Sequence, residues 1–195
     1  MRTAVFGGSF DPPHNGHLAL CLSARELAGV DRLIVSVSKN PFKEPADASA
    51  QERAAMTHLL VAQINAAGKF AEMSDWELQQ PGPSYTIDLL RHVATLHPGD
   101  ELVLLVGEDS YRQMPQWRES REIAKLCDIA VFGRSCGALA AASCGEKLPP
   151  AMLFDFDMPV SATEVRRLAA AGQPISHLVP QSIAAYIESH GLYRV

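Results

Sequence analysis

The chain has 195 residues, 47% of them hydrophobic and 20% charged, enough apolar material for one full core and too much for a disordered chain. Its net charge of −5, with Lys and Arg scattered rather than massed, argues against nucleic acid or an anionic membrane surface as partner. No apolar run approaches a membrane span, no leader pattern opens the chain, and the four cysteines show no Cys-x-x-Cys spacing, so a reduced, cytoplasmic protein is expected.

Residues 2–6 form a short run of β-formers, and Gly7 to Gly16 follow as a turn rich in Gly and Pro. The apolar positions Leu18, Leu20, Cys21, Leu22 and Leu27 predict a helix beginning near His17. A glycine-rich turn leading into a helix N-terminus makes an anion site, because backbone N–H groups point outward at the positive end of the dipole. His14 and His17 sit in that turn with Gly16 between them, and no third ligand in view completes a metal site. The spacing points to phosphate chemistry.

Asp31 to Val37 is a continuous apolar run suited to a strand covered on both faces. The Pro-interrupted loop after it carries Lys39 and Lys43 beyond the strand's carboxyl end, where ligands of open α/β sheets bind. From position alone, solvated lysines and a lysine reaching the anion site remain equal readings. Ser49 to Glu52 is a capping box opening a helix that Gly68 stops. Residues 70–76 read as a strand with Trp76 near its end. In the loop that follows, Ser84 or Thr86 can cap a helix through Leu89, Leu90 and Val93.

Glu101 to Val106 is the clearest buried strand, and it ends at Gly107, Glu108 and Asp109, where a carboxylate can accept from ribose hydroxyls. Trp117 can be core, or can stack on a heteroaromatic ring. Residues 127–134 form another strand, ending in Gly133 and Arg134. Residues 135–150 are rich in Ala, Gly and Cys and read as a mobile surface loop. Residues 152–158 alternate as a half-exposed strand does. Ser161 to Glu164 is a second capping box, and Ser161, Thr163 and Arg166 bring hydroxyls, amides and a guanidinium to one helix start. A last helix follows Pro180.

Strands alternating with helices predict an α/β fold with a doubly wound, mostly parallel sheet. The glycines fit neither the dinucleotide fingerprint nor a Walker loop. Residues 1–195 read as a single domain, with a C-terminal helical part from about 161.

Gly8-Ser-Phe-Asp-Pro-Pro-His-Asn-Gly-His17 resembles the His/Thr-x-Gly-His signature of the nucleotidyltransferase α/β-phosphodiesterase superfamily, and Ser161-Ala-Thr-Glu-Val-Arg166 resembles its second motif. Gly82-Pro-Ser-Tyr-Thr86, Gly107-x-Asp109, Trp117, Arg134 and the stretch from Leu178 to Tyr193 are similar to the bacterial nicotinate-nucleotide adenylyltransferases of that superfamily, over nearly the whole chain. Ala162 stands where members usually carry Ser. Phe42 stands where many carry His before the lysine, and Gln79 and Gln80 replace a common arginine.

The resemblance implies a Rossmann-like nucleotidyltransferase fold of three layers. It implies transfer of the adenylyl group of ATP to nicotinate mononucleotide, with Mg²⁺ carried by the ATP and no protein metal ligand. It assigns phosphate stabilisation to His14, His17, Lys43 and Arg166. Gly8, Ser9, Phe10, Gly107, Asp109, Arg134, Ser161 and Thr163 fall to ATP, and Tyr85, Thr86 and Trp117 to the pyridine nucleotide. A pantetheine-phosphate adenylyltransferase shares the fold and the transfer, and a nucleotide-binding regulator with an impaired site is a third reading. Oligomeric state stays open, a homo-oligomer included.

Overall fold

Continuous burial along the central strands, covered on both faces, explains the architecture of the computed structural model, which describes residues 1–39, 46–66, 68–134 and 148–194. Six parallel strands pair into one sheet: β1 (Arg2–Gly8), β2 (Arg32–Val37), β3 (Ala71–Ser74), β4 (Glu101–Gly107), β5 (Asp128–Gly133) and β6 (Met152–Asp155). Their spatial order is β3-β2-β1-β4-β5-β6. The register sets Val5 beside Ile34 on one side and beside Leu104 on the other.

On one face, Phe6, Val35, Leu105 and Phe132 pack against α1 (Asn15–Leu27) and α2 (Ala50–Asn65). The same face is covered by α7 (Ala162–Ala170) and α8 (Gln181–Ser189). On the other, Val5, Leu104, Val106 and Val131 pack against α4 (Thr86–Leu96), α5 (Glu108–Gln113) and α6 (Ser120–Leu126). The α3 turn (Trp76–Gln79) leads into α4. The result is a doubly wound sheet between two helical layers, as expected. Cys21 and Cys127 are buried free thiols, and burial pushes Cys127 up to about 12, as suits small core residues.

Local boundaries depart from expectation in four places. Helix α1 starts at Asn15 rather than near His17, because His14 in extended conformation is its N-cap. The strand expected over 70–76 ends at Ser74, and Trp76 opens α3, stacking at 4.5 Å on His92 of α4. Neither Ser84 nor Thr86 caps α4; Tyr85 holds the cap position without a side-chain bond. The box at Ser49 and Glu52 closes in both directions, whereas at α7 only Ser161 caps, since Glu164 turns to Arg167. The loop expected at 135–150 lies outside the described residues up to 147.

No helix among the described residues is long and apolar enough to cross a membrane.

Candidate active site

The sheet reverses direction beside β1: the chain runs outward through β2 and β3, then returns to place β4 on the other side of β1. The loops after β1 and β4 therefore leave toward opposite helical layers, opening a crevice at the carboxyl ends of these strands. Gly7, Gly8 and Gly107 line its floor.

The β1–α1 turn is shaped around two rings. A Cβ on Gly8 would lie 2.9 Å from the Phe10 ring, so the close seating of that ring requires glycine. Phe10 itself is buried in a left-handed conformation (φ 49°), a strain of about 1–3 kcal/mol of the kind held at functional sites. The imidazoles of His14 and His17 stack with centroids 3.7 Å apart and 23° between planes. A Cβ on Gly16 would stand 3.0 Å from Cε1 and Nδ1 of His14. Glycine between the histidines thus lets the first ring lie against the helix start.

One hydrogen bond assigns the proton of the second ring. Nδ1 of His17 accepts from the backbone N–H of His14 at 3.1 Å, so the neutral ring carries its proton on Nε2. Burial pushes His14 down to about 4, which keeps its imidazole neutral near pH 7. Two neutral donors above a helix N-terminus suit an anion.

Asp11 ties this turn to three distant segments. Its carboxylate accepts from the N–H groups of Asp47 (2.8 Å) and Ala48 (3.1 Å) and from the hydroxyl of Tyr193 (2.8 Å). Its carbonyl accepts from Arg166 at 2.8 Å, and Arg166 also pairs with Asp47. Buried Arg53 donates to the carbonyls of Ser9 (2.8 Å) and Ser38 (3.1 Å), joining the loops that follow β1 and β2.

Two clefts open on this framework. The first, about 600 Å³, is lined by Gly8, Ser9, Phe10, His14 and His17 from the first turn and by Gly107 and Asp109 from β4 and α5. Arg134 lines it from just beyond β5, and Arg166 from the middle of α7. The second, about 370 Å³, is lined by Tyr85, Thr86 and Trp117, and shares Phe6, Gly7, Gly107 and Ser110 with the first.

Of the residues singled out in the sequence, Ser161 and Thr163 are not among those lining either cleft. Ser161 Oγ is engaged as the α7 cap, Thr163 is exposed, and Ala162 between them faces the first cleft. Lys43 lies outside the described residues. Sequence reasoning missed Phe156, Met158 and Val160, which line the first cleft, because an apolar residue beyond a strand end carries no periodic signal. It also missed Asp11, Arg53 and Glu77. A buried acid or arginine is a legible hint only once its burial is known.

The chain matches the cytidylyltransferase-like family over residues 5–168, and it belongs to that family of nucleotide-handling α/β proteins. It is 72% identical to a Chlorobaculum tepidum chain named "Probable nicotinate-nucleotide adenylyltransferase", over 99% of both chains. A Chlorobaculum parvum chain of the same name is 64% identical over the full length of both. Within the family, this chain stands with the nicotinate-nucleotide adenylyltransferases. Among solved structures, Plasmodium falciparum nicotinic acid mononucleotide adenylyltransferase complexed with NaAD superposes with a TM-score of 0.78 at 18% identity, covering 98% of this chain and 97% of that one. The same Plasmodium enzyme complexed with APC gives 0.75 over 98% and 96%. At such identity the likeness concerns the fold.

Proposed function

We propose that the chain joins nicotinate mononucleotide to the adenylyl group of ATP, giving deamido-NAD and pyrophosphate, a step of NAD biosynthesis. The observation that carries this reading is the meeting of the two clefts at Gly7 and Gly107, with the stacked histidines in the larger one. A dinucleotide is built from two mononucleotide halves. Two cavities sharing a floor at the switch point suit such a product.

In this reading ATP occupies the first cleft and the pyridine nucleotide the second. A 5′-phosphate oxygen of the acceptor forms a bond to the α-phosphorus as the bond from that phosphorus to the bridging oxygen breaks. The electron pair leaves with pyrophosphate. Such a transfer needs alignment and charge neutralisation rather than a protein nucleophile. His14 and the Nε2–H of His17 donate to the phosphates, with Arg166 and Lys43 neutralising the charge gathering on the leaving group. Gly8, Ser9 and Phe10 border the phosphates, and Gly107, Asp109 and Arg134 the adenosine. Amides at the start of α7, beside Ser161 and Thr163, add fixed dipoles. Tyr85, Thr86 and Trp117 hold the pyridine side, where the indole can stack on the ring.

The donor set fits Mg²⁺ carried by ATP rather than caged by protein. Among the described residues no three His, Cys, Asp or Glu side chains gather at one point, and the Asp11 carboxylate is taken by N–H and O–H donors. When bound, Mg²⁺ supplies neutralisation of phosphate charge.

The test is product formation by the purified protein from ATP, Mg²⁺ and, in parallel, nicotinate mononucleotide, nicotinamide mononucleotide or phosphopantetheine. Deamido-NAD and pyrophosphate in equal amounts are expected with the first. Turnover of phosphopantetheine alone, or of none of the three, overturns the reading.

A further inference from the structure

The acid and amide forms of the pyridine nucleotide share ribose, phosphate and a cationic ring, and differ only in a carboxylate against a carboxamide. Selection between them therefore needs a group in the second cleft that responds to that one charge. Among the described residues only Glu77 and Arg118 bring charge to its lining. Glu77 is 3% exposed and accepts from Ser36 at 2.8 Å, on β2. Arg118 follows Trp117, and its guanidinium lies 4.7 Å from the centroid of the Tyr85 ring.

The backbone and a neighbouring ion pair hold Arg118 there. Glu119, which follows it, adopts a left-handed conformation (φ 53°, ψ 39°) as the N-cap of α6. A non-glycine residue keeps such a conformation only where its surroundings fix it. Arg91 of α4 pairs with this residue, with Nη2 and Nη1 at 2.6 and 3.4 Å from the Glu119 carboxylate. That carboxylate is committed to Arg91 and lies 3.8 Å from Nε of Arg118, so it compensates the Arg118 charge only in part. Tyr85 and Arg91 belong to the same helix region, so one packing of α4 on α6 sets both the ring and the clamp.

We propose that the Arg118 side chain is a specificity-determining residue that reads the carboxylate of the pyridine ring and so favours the acid over the amide. This rests on the functional reading above. A guanidinium matches a carboxylate with two parallel N–H···O bonds, and a carboxamide offers one acceptor and no charge. The Arg118 side chain is 53% exposed, so solvent screens the contact and the selection is modest. The expected size is about five- to tenfold, about 1–1.4 kcal/mol at 1.4 kcal/mol per decade.

The experiment compares kcat/KM for nicotinate mononucleotide and nicotinamide mononucleotide in the unsubstituted protein, in Arg118→Gln and in Arg121→Gln, an exposed control on α6. Arg118→Gln is expected to lower the acid-to-amide ratio about five- to tenfold, through KM for the acid, while the control keeps the ratio. Added salt is expected to lower the ratio in the unsubstituted protein. Because both substrates carry the same phosphate, the ratio isolates the ring charge. An unchanged ratio in Arg118→Gln, equal losses on both substrates, or a ratio insensitive to salt overturns the proposal alone. Turnover of neither substrate by the unsubstituted protein overturns the functional reading and this one with it.

Discussion

The hydroxyl of Tyr193 donates a 2.8 Å hydrogen bond to Oδ1 of Asp11 across 182 residues of sequence. Burial raises the tyrosine pKa, so the hydroxyl remains a donor through the neutral range. Asp11 in turn presents its carbonyl to Arg166, so the chain near its last residues braces the turn that carries both histidines. Tyr193→Phe removes one of three donors to a buried carboxylate. A loss of about 1–2 kcal/mol is expected, read as a lower denaturant midpoint at constant slope, with a raised KM for ATP.

Gly16 separates folding from chemistry. At an early position of α1, alanine is the better helix former by up to about 1 kcal/mol. Its Cβ would nevertheless stand 3.0 Å from the His14 ring and push it out of the stack. Gly16→Ala is therefore expected to keep its melting temperature and lose kcat, measured side by side on one preparation.

Arg53 joins the loops that follow β1 and β2. Arg53→Met leaves the carbonyls of Ser9 and Ser38 without that guanidinium in a part-buried setting. A loss of about 2–4 kcal/mol is expected by chemical denaturation, together with weaker ATP binding by calorimetry.

His14 gives acid sensitivity with a definite sign. Burial lowers its pKa from 6.5 to about 4 in the folded chain, so the unfolded chain binds more protons between those values. Its contribution to stability is whole above pH 6.5 and is lost as pH falls toward 4. Between pH 7.5 and 5 the unsubstituted protein is expected to lose about 1–2 kcal/mol more than His14→Asn, measured by denaturation at both values.

Much of this was legible in the sequence for physical reasons. Continuous apolar runs at β2 and β4 announce strands covered on both faces, and Gly-Pro punctuation after β1 announces the turn. Short elements were not legible. Residues 76–79 form a single helical turn from which Glu77 accepts a hydrogen bond from Ser36 on β2, a contact that no local pattern encodes. The histidines and Arg166 were visible as chemistry-bearing residues, but their bracing was not. Asp11, Arg53 and Tyr193 meet only through tertiary contact, and a lone acid in a Pro-rich turn looks like ordinary turn chemistry.

The most direct measurement is kcat of His17→Ala against the unsubstituted protein at saturating ATP and nicotinate mononucleotide, with melting curves for both. Removing a single aimed donor to the leaving phosphates is expected to lower kcat by about a hundredfold or more, with the fold intact. A kcat within about threefold of the unsubstituted protein would contradict the role assigned to the paired histidines.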